Sequence, residues 1–304
     1  MKAIVTGGAG FIGSHLAAAL LQKGWKVVVL DNLITGKQDA VPGDAQLVQL
    51  DIRSEEAKEL VVATKADVVF HLAAQTDVQH SLQQPHHDAV VNIGGTVRLL
   101  EGCREAGSKL VFASTSAVYG NLERPLLTEQ DPVYPISYYG LSKLAAELYI
   151  QLFHRLYGVP FTILRFSNVY GPGQTAKGEG GVVAVFLERL AAGRPVTIHG
   201  DGGQTRDFIY VGDVVSALVS AASRGEGELL HVSSAIGSSV NYLAELIGDI
   251  HGVPLAHTHA PARLGDIRHS RLDNRRACDV LGWQPIVDLR AGLGAAYASV
   301  FYQR

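Results

Sequence analysis

Ala3-Ile4-Val5-Thr6-Gly7-Gly8-Ala9-Gly10-Phe11-Ile12-Gly13, continued by Ser14 to Lys23, reads as strand, glycine turn and helix. Gly8, Gly10 and Gly13 satisfy G-x-G-x-x-G; Gly7, Gly10 and Gly13 give the same turn with wider spacing. A backbone that turns this tightly lets a pyrophosphate approach the helix N-terminus, where unpaired N–H groups meet it. Glycines alone carry little weight. Here the motif has the strand and the helix it requires on either side.

The same rhythm continues outward. Lys26 to Leu30 is a second strand ending at Asp31, an acid placed to accept both hydroxyls of an adenosine ribose. It would repel a 2′-phosphate, so NAD is expected rather than NADP, although Lys37 lies six residues on. Gln46 to Ile52 is a third strand whose end, Asp51-Ile52, is placed to flank an adenine ring. Asp67 to Ala74 is a fourth, and the small Ala73 and Ala74 would let a cofactor lie against backbone. Pro85 to Gly107 reads as one long helix. Lys109 to Phe112 is a fifth strand running into Ser114-Thr115-Ser116, three hydroxyls at a carboxyl end. Strands alternating with helices predict an α/β fold with a doubly wound parallel sheet, whose ligands bind at the strands' carboxyl ends.

Ser137 to Leu156 reads as a helix carrying Tyr139 and Lys143. A spacing of four puts phenol and amine on one helix face, one turn apart. A free tyrosine titrates near ~10. An adjacent ammonium favours the phenolate and makes the pair a proton-transfer unit. Thr115 is the candidate substrate-facing hydroxyl.

Composition excludes several classes. The 304 residues are 47% hydrophobic and 18% charged, with a formal net charge of −3, which gives no basic field for nucleic acid. Two cysteines, Cys103 and Cys278, suit a reducing compartment. No apolar run reaches the roughly 18 residues of a membrane span, so a soluble cytoplasmic protein is expected. His86-His87 and His257-x-His259 lack a third placed ligand, and no metal is expected.

The chain resembles the extended short-chain dehydrogenase/reductase superfamily, specifically its UDP-glucose (UDP-galactose) 4-epimerase family. The matching pieces run in order from Thr6–Gly13 through Asp31-Asn32, Asp51-Ile52, His71–Ala74, Ser114–Gly120 and Tyr139-x-x-x-Lys143. Later come Leu164–Pro172, Gly203–Phe208 and Arg263–Arg268. The resemblance implies reversible oxidation at sugar C4 with a tightly held NAD. Tyr139 would take the 4-hydroxyl proton, Lys143 would lower the tyrosine pKa, and Thr115 would bond the 4-oxygen. NAD contacts are implied for Gly7, Gly10, Phe11, Ile12, Gly13, Asp31, Asn32, Asp51, Ile52, Leu72, Ala73, Ala74, Ser114, Tyr139, Lys143 and Phe166. Contacts to a UDP-sugar are implied for Thr115, Ser116, Asn168, Val182, Thr197, His199, Arg206, Arg263, Asp266 and Ser270. Relatives that dehydrate or decarboxylate keep an acid where this chain has Ala117, which cannot move a proton.

Further expectations concern the second half. Gly171 to Gly181 reads as a loop over the substrate. The planar guanidinium of Arg206 suits a diphosphate. Ser270 falls where some relatives carry a tyrosine beside the sugar C2 substituent, so room for an N-acetyl group is expected. Residues 1–167, with about 208–232, are expected to form the NAD-binding unit. Residues 168–207 and 233–304 would form a smaller α/β nucleotide-sugar-binding unit. The resemblance implies a homodimer joined by a four-helix bundle from about 84–106 and 137–158. A 4-keto-sugar reductase and a silent NAD-sensing regulator are the rivals; the latter commonly loses Tyr139, Lys143 and Thr115.

Overall fold

The computed structural model describes residues 1–122, 124–176, 181–262 and 267–302. Its first half alternates strand and helix: β1 Lys2–Thr6, α1 Phe11–Gln22, β2 Lys26–Asp31, β3 Gln46–Gln49, α2 Glu55–Thr64 and β4 Val68–His71. There follow α3 Val78–Gln83, α4 Pro85–Ala89, α5 Gly95–Ala106, β5 Lys109–Thr115, α6 Tyr138–Tyr157, β6 Phe161–Phe166 and β7 Asn168–Tyr170. The second half holds α7 Val182–Ala191, β8 Val196–His199, β9 Thr205–Tyr210, α8 Val211–Ala221, β10 Glu228–Val232 and β11 Gly237–Ser239. The chain closes with α9 Val240–His251, β12 His257–Ala260, α10 Arg275–Leu281 and α11 Leu289–Phe301.

Seven strands form one sheet in the order β10-β6-β5-β4-β1-β2-β3, and every pair in it is parallel. The strand order reverses between β1 and β4, which opens a crevice at their carboxyl ends. Alternate strand residues feed two cores, as expected of strands covered on both faces. On one face Val5, Val29, Phe70 and Val111 meet Leu16 and Leu20 of α1 and Leu218 of α8. On the other, Ile4, Leu30, Val69 and Phe112 meet Val61 of α2, Leu99 of α5 and Ile150 of α6. A third core joins α7, α9 and α11 around Phe186, Leu243 and Leu293. Two small sheets, β11-β9-β7 and β12-β8, complete the fold.

The long helical segment expected from Pro85 to Gly107 is present, but it is not uniformly α-helical. A π-helical turn at Val90–Gly94 separates α4 from α5. It presents Asn92, whose side chain accepts from Gln75 N–H (2.8 Å) and donates to Gln75 C=O (2.9 Å) and Ser142 Oγ (2.9 Å). The run from Phe161 to Tyr170 forms two strands, parted at Ser167, and the second joins a different sheet. The hydroxyl of Ser167 is bound to Asp207 at 3.1 Å.

Candidate active site

The glycine turn resolves the two readings of its spacing. Gly7 has φ +68°, and a Cβ there would lie 2.7 Å from Ala73 N. A Cβ on Gly13 would lie 2.1 Å from Gly7 O. Gly8 instead packs on Val29, whose methyls would stand 2.7 and 2.8 Å from an added Cβ. Gly7, Gly10 and Gly13 line the cavity described below and Gly8 does not, so those three are the working set. Gly10 caps α1 with no side-chain hydrogen bond, so the first-turn N–H groups face the crevice without a side-chain cap. Asp31 ends β2 beside this turn. It is nearly buried and accepts from Ala9 N–H (3.0 Å) and Leu33 N–H (2.8 Å).

Thr6 closes the floor. Its oxygen accepts from the N–H groups of Leu72 and Ala73, both at 3.2 Å, and its hydroxyl donates to His71 Nδ1 at 2.9 Å. His71 Nε2 in turn donates to Thr96 (3.0 Å), whose hydroxyl is committed to Asn92 C=O at 2.6 Å. Burial, aided by the Lys143 charge, holds His71 neutral with its pKa pushed down to about 3.

On α6, Ser137 caps the helix by accepting from Gly140 N–H at 3.1 Å, one residue before Tyr138 begins the first turn. Tyr139 is half-buried and lines the cavity; Lys143 is buried, donates to Ala113 C=O at 2.9 Å and sits 4.7 Å from the Phe112 ring centre. Thr115 Oγ1 accepts from Ala117 N–H (3.1 Å), which leaves its own proton to donate. The Ser114 hydroxyl does not face the crevice: it donates to Glu147 at 2.5 Å.

One cavity of about 490 Å³ gathers these groups. Gly7, Gly10, Phe11, Ile12, Gly13 and Leu72 line one wall, with Ser114 and Phe166 behind. Tyr139, Lys143, Thr115 and Ser116 line the centre. Asn168, Val182, Arg206 and Ser270 line the far side, joined by Gln174 and Gln79, which the sequence reading missed because neither belongs to a motif. Asp207, next to Arg206, is fully buried and accepts from Ser167, from Ser234 N–H and Oγ–H, and from Leu272 N–H. Burial raises its pKa and those hydrogen bonds oppose the rise.

Other sequence candidates lie outside this cavity's lining. Ala74 follows Ala73 beyond β4. Asp51 is taken by Arg53, through Nε and Nη2 at 2.8 Å each, and by Asn32 at 3.1 Å; the Arg53 hydrogen bonds hold its carboxyl well below the usual range. Ile52 is buried in the core against Gly95. Thr197 and His199 share the outer face of β8, and His199 is bonded to Pro261 C=O. Arg263 and Asp266 fall outside the described residues. His257 and His259 make an edge contact at 5.5 Å; among the described residues no group of three or more His, Cys, Asp or Glu is arranged to hold a metal.

Residues 3–232 match the NAD dependent epimerase/dehydratase family. The chain belongs to that family. It is 43% identical over 301 residues to a UDP-glucose 4-epimerase of Mycolicibacterium smegmatis, covering 96% of each chain. A crystal structure of UDP-glucose 4-epimerase with UDP-glucose from Thermotoga maritima shares its fold at TM-score 0.97 and 40% identity, covering 100% of this chain and 99% of that one. The Thermus thermophilus UDP-glucose 4-epimerase complex with NAD gives TM-score 0.94 at 38% identity, covering 99% of each. The family's cofactor is NAD, and the residues here fit it: a glycine cradle that a Cβ would fill, a helix start without a side-chain cap, and an acid at the end of β2.

Proposed function

We propose that this chain interconverts UDP-glucose and UDP-galactose, and also the corresponding N-acetylhexosamines, through a 4-keto sugar. The reaction class is that of an NAD-dependent UDP-sugar 4-epimerase, an isomerase. The observation that carries the reading is the meeting of Tyr139, Lys143 and Thr115 with the glycine turn in one cavity.

In this mechanism Tyr139 takes the proton from the sugar 4-hydroxyl and later returns it. Lys143, fixed by Ala113 C=O, favours the phenolate. Thr115 donates its spare proton to the 4-oxygen. When bound, NAD supplies the hydride acceptor and donor for C4. Gly7, Gly10 and Gly13 hold its diphosphate at the start of α1, and Asp31 its adenosine ribose. Arg206 and the start of α7, where Gly181 offers no side-chain cap, take the substrate diphosphate. Anchoring the nucleotide rather than the sugar leaves the ring loose enough to present either face. Asn168, in the same lining, is assigned to the diphosphate as well. Asn32, Asp51 and Ile52 flank the adenine, with Thr197 and His199 at the uracil.

Ser270 is buried, lines the cavity and is small, which supports room for a C2 N-acetyl group. The units 1–167 with about 208–232, and 168–207 with 233–304, are our division of labour between cofactor and substrate. A homodimer is supported by an uncovered stripe on α6: Leu141, Leu148, Leu152 and Leu156 are each 43–59% exposed. In a monomer such a stripe is unusual. A cytoplasmic setting fits the two free cysteines, Cys103 and Cys278. Among the described residues no helix is long and apolar enough to cross a membrane.

The test is product analysis of the purified protein with UDP-glucose and no added cofactor. The 4-epimer should form and should vanish in Tyr139→Phe. A requirement for fresh reduced cofactor in every turnover would instead indicate a reductase.

A further inference from the structure

Tyr139, Lys143 and Glu147 stand at i, i+4 and i+8 on α6 and form a stripe of phenol, ammonium and carboxylate. The third member is 1% exposed. Its carboxylate receives three hydrogen bonds: from Arg165 Nε (2.9 Å), Arg165 Nη2 (2.6 Å) and Ser114 Oγ (2.5 Å). Ser114 and Arg165 are register partners on the adjacent strands β5 and β6. Two consecutive residues at the end of β5 are thus tied to successive turns of α6, Ala113 to Lys143 and Ser114 to Glu147. Arg165 reaches further, donating through Nη1 to Tyr119 OH at 2.6 Å. Tyr119 ends the 3₁₀ turn Ser116–Tyr119 that follows Thr115. The ion pair therefore holds the side chains of Ser114 and Tyr119, on either side of Thr115, and sets the depth of the helix that carries Tyr139 and Lys143.

We propose that Glu147 and Arg165 are positioning residues for the epimerisation, fixing the reach of Lys143 to Tyr139 and of Thr115 to the sugar 4-oxygen. The inference rests on the assignment of Tyr139 and Lys143 as the proton-transfer pair. Stability alone does not explain the pair, because a buried ion pair is often matched or bettered by packed apolar residues of similar volume. The same fact provides the test. Glu147→Met/Arg165→Met removes one negative and one positive charge together. The groups tied to this network include Tyr139 on α6, His71 on β4, which faces the Lys143 charge and stays neutral, and Tyr119, which is bound to Arg165 and whose pKa burial pushes up to about 12. The net charge there is therefore unchanged, and Glu147→Asp, which keeps both charges in place, separates a shift caused by geometry from one caused by losing the pair's own field.

The double variant should melt no lower than the parent by more than a few degrees. Its kcat with UDP-glucose should fall at least about tenfold with KM little changed, as for groups acting mainly in the transition state. The acidic limb of its kcat–pH profile should move to higher pH, because a looser Lys143 favours the phenolate less. A folded double variant with parental kcat, or with reduced kcat and an unmoved limb, overturns the proposal. Should the double variant not fold, Glu147→Asp keeps both charges with the carboxylate one methylene short. It should show the same shift of the limb in smaller degree, and parental kinetics in it count against the proposal equally. Tyr139→Phe measured alongside separates the two assignments. An active Tyr139→Phe removes the proton-transfer pair and this inference with it, whereas an inactive one beside a fully active double variant overturns the inference alone.

Discussion

Gly13→Ala and Gly10→Ala should fail in different ways, because the two glycines of the turn meet different obstacles. At Gly13 an added Cβ would stand 2.1 Å from Gly7 O, 2.7 Å from Gly8 Cα and 2.8 Å from Gly7 C. All three atoms are backbone and cannot rotate aside. Restoring an ordinary carbon–oxygen contact means moving one segment by roughly 1 Å, an overpacking that costs about 1–3 kcal/mol in a well-packed site. At about 2–4 °C per kcal/mol for a chain of this size, the apo protein should melt several degrees lower. Gly10 differs: its added Cβ would meet only Gly7 O, at 3.2 Å, and its φ of −87° suits any residue. Gly10→Ala should leave the apo melting temperature within about a degree. Its methyl would occupy the approach to the start of α1, so NAD affinity should drop by tenfold or more, about 1.4 kcal/mol. Thermal melting of the stripped protein and NAD titration by calorimetry measure both quantities. A Gly13→Ala protein as stable as the parent, or a Gly10→Ala protein that binds NAD equally well, would refute the geometry.

Acid sensitivity should follow from two buried histidines, His71 and His231, each with its pKa pushed down to about 3 by burial. Their unfolded value is near ~6.5, so below that pH the unfolded chain binds protons that the native state does not. This stability is complete above ~6.5 and is lost as pH falls, at up to about 2.7 kcal/mol per pH unit for the two together. Urea unfolding between pH 7 and 5 should show that slope and His71→Asn should halve it; an unaltered slope would remove His71 from the account. Ser270→Tyr should cut activity on UDP-N-acetylglucosamine at least about tenfold while sparing UDP-glucose, by the scale on which pocket contacts discriminate. Equal loss on both sugars would sink the gate. Leu148→Lys, changing a residue 58% exposed at the middle of the α6 stripe, should convert a dimer to monomer in light scattering without lowering helix content. A monomeric parent protein would end that reading.

What the sequence made legible was local. The start of the chain showed its strand, turn and helix because all three signals lie within about twenty residues, and Tyr139 and Lys143 showed because helical spacing brings them together. The π turn at Val90–Gly94 was invisible: apolar residues continue at helical spacing through it, and the bonds its Asn92 makes, to Gln75, span seventeen positions. Arg206 was legible as a guanidinium suited to a diphosphate, but not as part of the strand β9. Its pairing partners, Asn168–Tyr170 and Gly237–Ser239, are remote on both sides. Ser114 was placed correctly at the strand end, yet its hydroxyl faces Glu147, 33 positions away.

These failures share a physical pattern. A backbone cradle declares itself in sequence because only glycine tolerates the close approaches at Gly7 and Gly13. A side-chain network does not, since glutamate at position 147 satisfies the same helix propensity buried or exposed. Its role depends on Arg165 and Ser114 arriving from neighbouring strands. The cofactor half of the cavity is therefore written largely in backbone requirements, and the chemistry at its centre in side-chain contacts between distant segments. On this view, changes at the glycines should act on NAD retention, while changes at Glu147 and Arg165 should act on the rate with the cofactor still bound.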